Sequence, residues 1–441
     1  MKRAFATLSL LFCCLDLFGQ KQYTLAECYQ LALENNLALQ RAQNEIEMNA
    51  IDRQTAHYKL LPSLAYGMNH YFSYGKNIDP VTNNFAFEQF SGGQAALSLE
   101  LELFSGFRNL YAIRQSGYHL QASAYAKKRT ELELLSRITQ IYARILLAEG
   151  QADAGRNTIQ TIENELEIIS EKIKVGRLTK YEYYTFDARL NSEKAELISV
   201  QNDSSTAVQE LKELLNLSYK EALTIAPVDT SVLSEIYDTY ITADAYIDLL
   251  LQQHPAILQA EMNARAADLD VKMAKSSLFP SIAIGGDLAS NYNINSEFED
   301  GEIPLNRQLT DNLGQNIGIS LRIPVFSQKE HSNSVRKEKI NVENAQLAIK
   351  EAENTVITHT LQLVNEFNAA KYKYRATLSA WEQNKLSYSL HEEKYRLGQI
   401  SSVELLTARD ILNASVSKYL QAKLELYFRY QLLLLLRDYP G

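Results

Sequence analysis

The strongest constraint on this chain is that its sequence is duplicated. Tyr58-Lys59-Leu60-Leu61-Pro62-Ser63-Leu64 resembles Ser276-Ser277-Leu278-Phe279-Pro280-Ser281-Ile282 at an offset of 218. Asn36-Leu37-Ala38-Leu39 and His254-Pro255-Ala256-Ile257 keep that offset. Leu103-Phe104-Ser105 reappears as Val325-Phe326-Ser327 at 222, and the run from Glu171 to Leu178 as Glu393 to Ile400, also at 222. Thr185, Leu190 and Asn191 continue the match as Thr407, Leu412 and Asn413. Several matches in one order at nearly one offset mark a duplication, and each half must then build the same unit.

The halves share one grammar. An amphipathic helix is expected over 24–58 and again over 242–276, each ended near a proline, Pro62 and Pro280, because the residue before proline is pushed out of the helical region. Two strands with a long polar loop follow in each half, at about 63–75 and 93–104, then about 281–292 and 313–325. The loops cover 76–91 and 293–313. Two long helices close each half, meeting at Gly176 or Gly398. The first repeat is placed at 20–215, an inter-repeat linker with Pro227 and a short β-like run at Leu223 to Ile225 at 216–241, and the second repeat at 242–441.

The strands carry a period of two. Leu64, Tyr66, Met68, Phe72 and Tyr74 oppose Ser63, Ala65, Gly67, Asn69 and Ser73. Ala95, Leu97, Leu99, Leu101 and Leu103 oppose Gln94, Ser98, Glu100 and Glu102. Ile282, Ile284, Leu288 and Tyr292, then Ile317, Ile319, Leu321 and Ile323, repeat the pattern. Each run has about the 9–11 residues of a transmembrane strand, and apolar outside with small or polar inside is the barrel pattern. A half-buried soluble sheet alternates in the same way. The long helices show apolar positions three and four apart from Ile138 to Ile173, a coiled-coil-like seam. The second half keeps that register with Phe367, Tyr374, Trp381, Tyr388 and Tyr395.

Residues 1–19 read as a secretory signal: Lys2 and Arg3, the apolar run Ala4 to Phe12, then a small residue at Gly19. Cys13 and Cys14 lack the small preceding residue that a lipid-modified cysteine needs, and after cleavage only Cys28 remains, so no intrachain disulfide forms. With 17 glycines and 8 prolines in 441 residues, long helices are favoured over many tight turns. A net charge of −9 without a basic cluster argues against nucleic-acid binding. His57, His70, His119, His254, His331, His359 and His391 show no metal-ligand spacing, and neither a phosphate loop nor a nucleophile elbow occurs. The chain is read as neither an enzyme nor a cofactor protein.

No run after the signal is long enough for a spanning helix, so a membrane crossing would use strands. Four strands cannot close a barrel, since single-chain barrels begin at about eight. Two copies would give eight strands with a filled interior, and three would give twelve with a lumen. A homotrimer is therefore expected.

With the order helix, proline, two strands, helix, glycine, helix written twice, and with paired tips at Val175 to Leu178 and Leu397 to Ile400, the chain resembles the TolC-like outer-membrane efflux proteins over nearly its whole mature length. The resemblance implies a mainly α protein with a transmembrane β-barrel portion. Four strands per chain would enter a trimeric twelve-stranded barrel in outer-membrane lipid, and the long helical hairpins would form a periplasmic tunnel. It also implies a tripartite efflux system, with a periplasmic adaptor docked at Val175, Gly176, Leu178, Leu397, Gly398 and Ile400 and an RND-type inner-membrane pump behind it. Tyr395 matches an aromatic and Glu182 and Glu404 match acidic positions of the family's entrance gate. The chain departs from that pattern at Ile400, where a basic residue is expected, and at Thr407, where a second carboxylate is expected. A type I protein-secretion exit duct of the same fold, or an exported coiled-coil adhesion protein, are the other readings.

Overall fold

The computed structural model describes residues 22–78, 83, 85–294, 297–298 and 301–438; the secretory signal expected at 1–19 lies outside them. In chain order the elements of the first repeat are β1 (Gln22–Tyr23), α1 (Leu25–Asn35), α2 (Leu37–Tyr58), β2 (Ser63–Ile78), β3 (Phe85–Ser105), α3 (Arg108–Lys174) and α4 (Lys180–Leu214). Between the repeats lie β4 (Thr224–Ile225) and α5 (Leu233–Asp238). The second repeat holds α6 (Ala243–Gln253), α7 (Pro255–Ser276), β5 (Ser281–Asn293), β6 (Glu297–Phe298), β7 (Gly301–Glu302), α8 (Leu305–Asp311), β8 (Leu313–Arg322), α9 (Glu330–Arg396) and α10 (Ser402–Asp438).

The duplication extends to single residues. Helices α1 and α6 each have 11 residues, α2 and α7 each 22, and α3 and α9 each 67. The long pair reaches about 100 Å each at ~1.5 Å per residue. The offset is 218 up to the starts of β2 and β5 and 222 from α3 and α9 onward, so the four extra residues fall within the second strand hairpin. Both repeats pass from their last strand toward the long helix through two successive left-handed residues. These are Gly106 and Phe107 (φ 64° and 67°) in one and Gln328 and Lys329 (φ 51° and 64°) in the other.

The first helix of each repeat departs from expectation. It is two helices, broken at one residue in the same place. Asn36 is extended (φ −65°, ψ 129°), as is His254 (φ −69°, ψ 126°). Asn36 Oδ1 accepts from the amides of Ala38 (2.8 Å) and Leu39 (3.3 Å), while its Nδ2 donates to the Leu214 carbonyl at 2.8 Å. His254 Nδ1 accepts from the Ala256 amide at 3.3 Å, and Pro255 starts the next helix. Each side chain caps the helix that follows. Apolar spacing runs on across a one-residue break, so periodicity alone does not reveal it.

The chain divides into two compact units. One comprises residues up to 40, 130–250 and 357–440. Its core gathers Cys28, Ile138, Tyr142, Ile145, Leu211 and Phe428. Burial, with Glu27 adding to it, pushes the Cys28 thiol up to about 12. The segment 216–241 is not a loose linker. β4 pairs in parallel with β1, Leu223 and Ile225 join that core, and Leu233, Ile236 and Ile241 pack with Phe367 and Leu433 in a second one. The Tyr142 hydroxyl lies 2.6 Å from the Ala226 carbonyl and 3.0 Å from that of Tyr23, tying α3 to both short strands. The expected seam is buried along α3 at Ile138, Ile145, Ala152, Ile162 and Ile169.

The other unit comprises 41–129 and 251–356 and holds a four-stranded antiparallel sheet in the order β2-β3-β5-β8. The strands differ in extent from expectation. β2 and β3 pair from Ser63↔Glu100 to Ile78↔Phe85, so most of the loop expected at 76–91 is strand. The loop expected at 293–313 contains β6, β7 and α8, and β8 ends at Arg322 rather than 325. A bulge between Glu102 and Phe104 interrupts the pairing of β3 with β5. Much of the apolar set stands exposed, with Tyr66 at 69%, Phe72 at 64% and Ile317 at 86%, while Leu97 and Ile284 are half-buried and Tyr292 is buried. An exposed apolar surface of this kind marks an interaction surface.

At the hairpin end of β5, Gln308 of α8 takes the place of a strand. Its Nε2 donates to the carbonyls of Asn293 and Ile303 and its Oε1 accepts from the Asn293 amide, all at 2.8 Å. Gln308→Ala removes these three bonds and is expected to cost about 1–3 kcal/mol. Hydrogen exchange at the Asn293 amide then speeds up by about one to two orders of magnitude. Unchanged protection there would show that Gln308 does not hold this edge.

Candidate functional site at the helical tips

The two long hairpins end in matching turns. Gly176 has φ 73° and Gly398 φ 75°, a conformation in which a side chain is strained. Gly176 N–H donates to the Ile173 carbonyl and Arg177 N–H to that of Lys172, each at 2.9 Å. Gly398 N–H donates to Tyr395 and Gln399 N–H to Lys394, again at 2.9 Å. This is the Schellman arrangement, with the glycine just past the last helical turn. A Cβ at either glycine would meet nothing within 4 Å, so the space around each is open. Around each glycine one apolar residue points out and one in. Val175 and Leu397 are exposed; Leu178 packs against the Ile162, Phe186 and Leu406 core, and Ile400 is half-buried.

The next helix begins with a capping pair in each hairpin. Ser401 Oγ accepts from the Glu404 amide (3.2 Å) and Glu404 Oε2 accepts from the Ser401 amide (2.8 Å). Thr179 Oγ1 accepts from the Tyr181 amide at 3.3 Å and donates to Glu182 Oε2. That hydroxyl holds the Glu182 carboxyl below its ordinary range. Glu182 and Glu404 are thus engaged locally, as anions at helix N-termini.

Tyr395 has a basic partner, supplied by the first repeat rather than by position 400. Lys172 Nζ donates to Tyr395 Oη at 3.3 Å and lies 4.9 Å from the ring centroid. Further along, Arg189 bridges Asp410 (2.9 Å) and Glu193 (2.7 Å). Asn413 Nδ2 donates to Thr158 Oγ1 at 3.1 Å. Lys172, Arg189 and Asp410 escaped sequence reasoning because the offset between the repeats does not by itself say which equivalent positions touch. The Thr-x-x-Glu and Ser-x-x-Glu capping signatures, in contrast, are visible in the sequence. Among the described residues no His, Cys, Asp and Glu group could hold a metal, and no helix is long and apolar enough to cross a membrane.

A duplicated chain with an open four-stranded sheet, an exposed apolar face and two long hairpins is one subunit's share of a barrel-and-tunnel channel. The sequence model of the outer membrane efflux protein family matches residues 28–217 and 246–435, one match per repeat. The chain belongs to that family of outer-membrane channels. It is 24% identical over 352 residues to the pyoverdine export outer membrane protein OpmQ of Pseudomonas aeruginosa, covering 78% of this chain and 69% of OpmQ. It is 20% identical over 414 residues to the alkaline protease secretion protein AprF of the same species, covering 90% and 81%. Among solved structures, the Campylobacter jejuni CmeC outer membrane channel superposes with a TM-score of 0.77 at 18% identity, covering 94% of this chain and 85% of CmeC. VceC of Vibrio cholerae superposes at 0.76 and 14%, covering 94% and 96%. The family places the sheet in the outer membrane and the helices in the periplasm.

Proposed function

We propose that three copies of this chain form an export duct whose helical tips dock onto a periplasmic adaptor, itself coupled to an inner-membrane pump of RND type. One observation carries the reading: the sheet has two free edges, β2 and β8, and an exposed apolar face. In lipid each unpaired backbone group on an edge costs several kcal/mol, so copies must pair edge to edge. Twelve strands give a lumen, and eight leave room only for side chains. Val175, Gly176, Leu397 and Gly398 form the docking surface, with Leu178 and Ile400 packed beneath it and the two glycines as points of close approach. Tyr395, held by Lys172, is the aromatic post of a closed entrance. Glu182 and Glu404 bring a ring of negative charge there when three copies assemble, which favours cations.

The likeness to AprF over nine-tenths of this chain supports a second reading, in which the duct serves protein secretion. The tips would serve either partner. Gly398→Trp tests the docking surface. Export by cells carrying it is expected to fall at least tenfold, while the channel still assembles in the outer membrane. Normal export from assembled Gly398→Trp channels would remove the tips from the docking role.

A further inference from the structure

We propose that α8 is a side-chain seal between copies at the hairpin end of the barrel, holding β5 of its own chain on one side and the neighbour's β2 on the other. The proposal rests on the reading that copies pair β8 with β2. Those two edges do not match in length. β2 has 16 residues and β8 has 10, a difference of six. In the proposed pairing the two strands start together at their helix-side ends, Ser63 after α2 and Arg322 before α9. The mismatch therefore falls at the hairpin end, where about six residues of β2, ~20 Å at ~3.4 Å each, extend past the last residue of β8. An edge of that length left bare invites wrong pairing.

Helix α8 stands where the missing part of β8 would be. Only Asn312 separates it from Leu313, which pairs with Ser290. Beyond that pair the backbone of β5 is satisfied by side chains. Asn312 Nδ2 donates to the Asn291 carbonyl at 2.9 Å, and Gln308 bonds both the amide and the carbonyl of Asn293. So β5 is closed to any other strand there. Asn306 lies two residues before Gln308, about 200° away at ~100° per residue, and points from the opposite side of the helix. It is exposed, and its amide carries a donor and an acceptor, the same pair that Gln308 gives Asn293.

The faces agree as well. Ser290 and Tyr292 are buried, and Ser290 Oγ donates to the Gln308 carbonyl at 3.4 Å, so α8 lies toward the face those residues present. The register Tyr292↔Gly93↔His70 puts Phe72 and Tyr74 of β2 on that same face. In one chain Tyr74 is 76% exposed. The neighbour's α8 reaches both the bare backbone edge and this aromatic pair.

The test uses paired cysteines in the full chain, purified in detergent and treated with a short bifunctional thiol reagent; native mass is measured on the same samples. Asn306→Cys with Tyr74→Cys is expected to join most copies covalently, whereas Asn306→Cys with Tyr66→Cys, low on β2, joins few. Equal yields from the two pairs, or none from either, in samples whose mass is three copies would overturn the seal and leave the trimer standing. Coverage of the edge by lipid or detergent alone gives that result. A mass of one copy would remove both the seal and the reading beneath it.

Discussion

Gly93→Ala is expected to abolish the assembled channel. A Cβ built on Gly93 lies 1.9 Å from the Asn69 carbonyl oxygen and 2.8 Å from the Tyr292 hydroxyl. The first contact is with backbone, which cannot rotate away. Gly93 is paired with His70 on one side and Tyr292 on the other, so the clash sits in the middle of the β2-β3-β5 ladder. The Tyr292 hydroxyl crosses this spot to reach the Asn69 carbonyl at 3.2 Å and His70 Nδ1 at 3.1 Å. One methyl group thus breaks the ladder and displaces the Tyr292 ring from its stack on His70. Gly67→Ala is the matched control, since its Cβ meets nothing within 4 Å. Assembled channel in outer-membrane fractions should vanish for Gly93→Ala and stay at the normal level for Gly67→Ala. Equal amounts from both would show that the strands can separate at Gly93.

The second large effect is expected at Phe367, in the helical unit. Its ring is fully buried among Leu132, Val364, Leu433 and Ile236, with the Tyr430 ring 5.9 Å away. Phe367→Ala removes that contact and leaves a cavity, at a cost of about 3–5 kcal/mol. The first repeat carries Ile145 at the equivalent position, also fully buried. Phe367→Ile restores much of the lost volume and is expected to recover about half the loss. Thermal loss of helix ellipticity in detergent reads both: Phe367→Ala should melt several degrees lower than the native chain, with Phe367→Ile between them. No shift for Phe367→Ala would mean that this cluster does not limit the stability of the helices.

The repeat made most of the fold legible. Two matches at 218 and two at 222 locate the proline breaks, the strands and both tip glycines, because each marks a place where backbone geometry restricts the residue. What escaped has a common cause. Asn36 and His254 break a helix without disturbing its apolar spacing. Gln308 acts as a strand through its side chain, and Leu305 to Asp311 is a helix of seven residues inside a polar stretch. The segment 216–241 looks like a linker by composition, yet its Ile225, Leu233 and Ile236 are core residues. At the tips, Val175, Gly176, Gly398 and Leu397 stand out as turn and surface positions. The pairing of Lys172 with Tyr395 was not legible, because it joins residues more than two hundred positions apart that only the packing of one hairpin on the other brings together.

The duplicated hairpins acquire their meaning from assembly, so the decisive measurement is the mass of the intact channel in detergent, followed by its conductance in a planar bilayer. The account predicts a mass of three chains and discrete single-channel steps that grow when Tyr395→Ala removes the post held by Lys172. A mass of one chain, or a three-chain assembly that conducts neither as the native protein nor as the Tyr395→Ala variant, would contradict it.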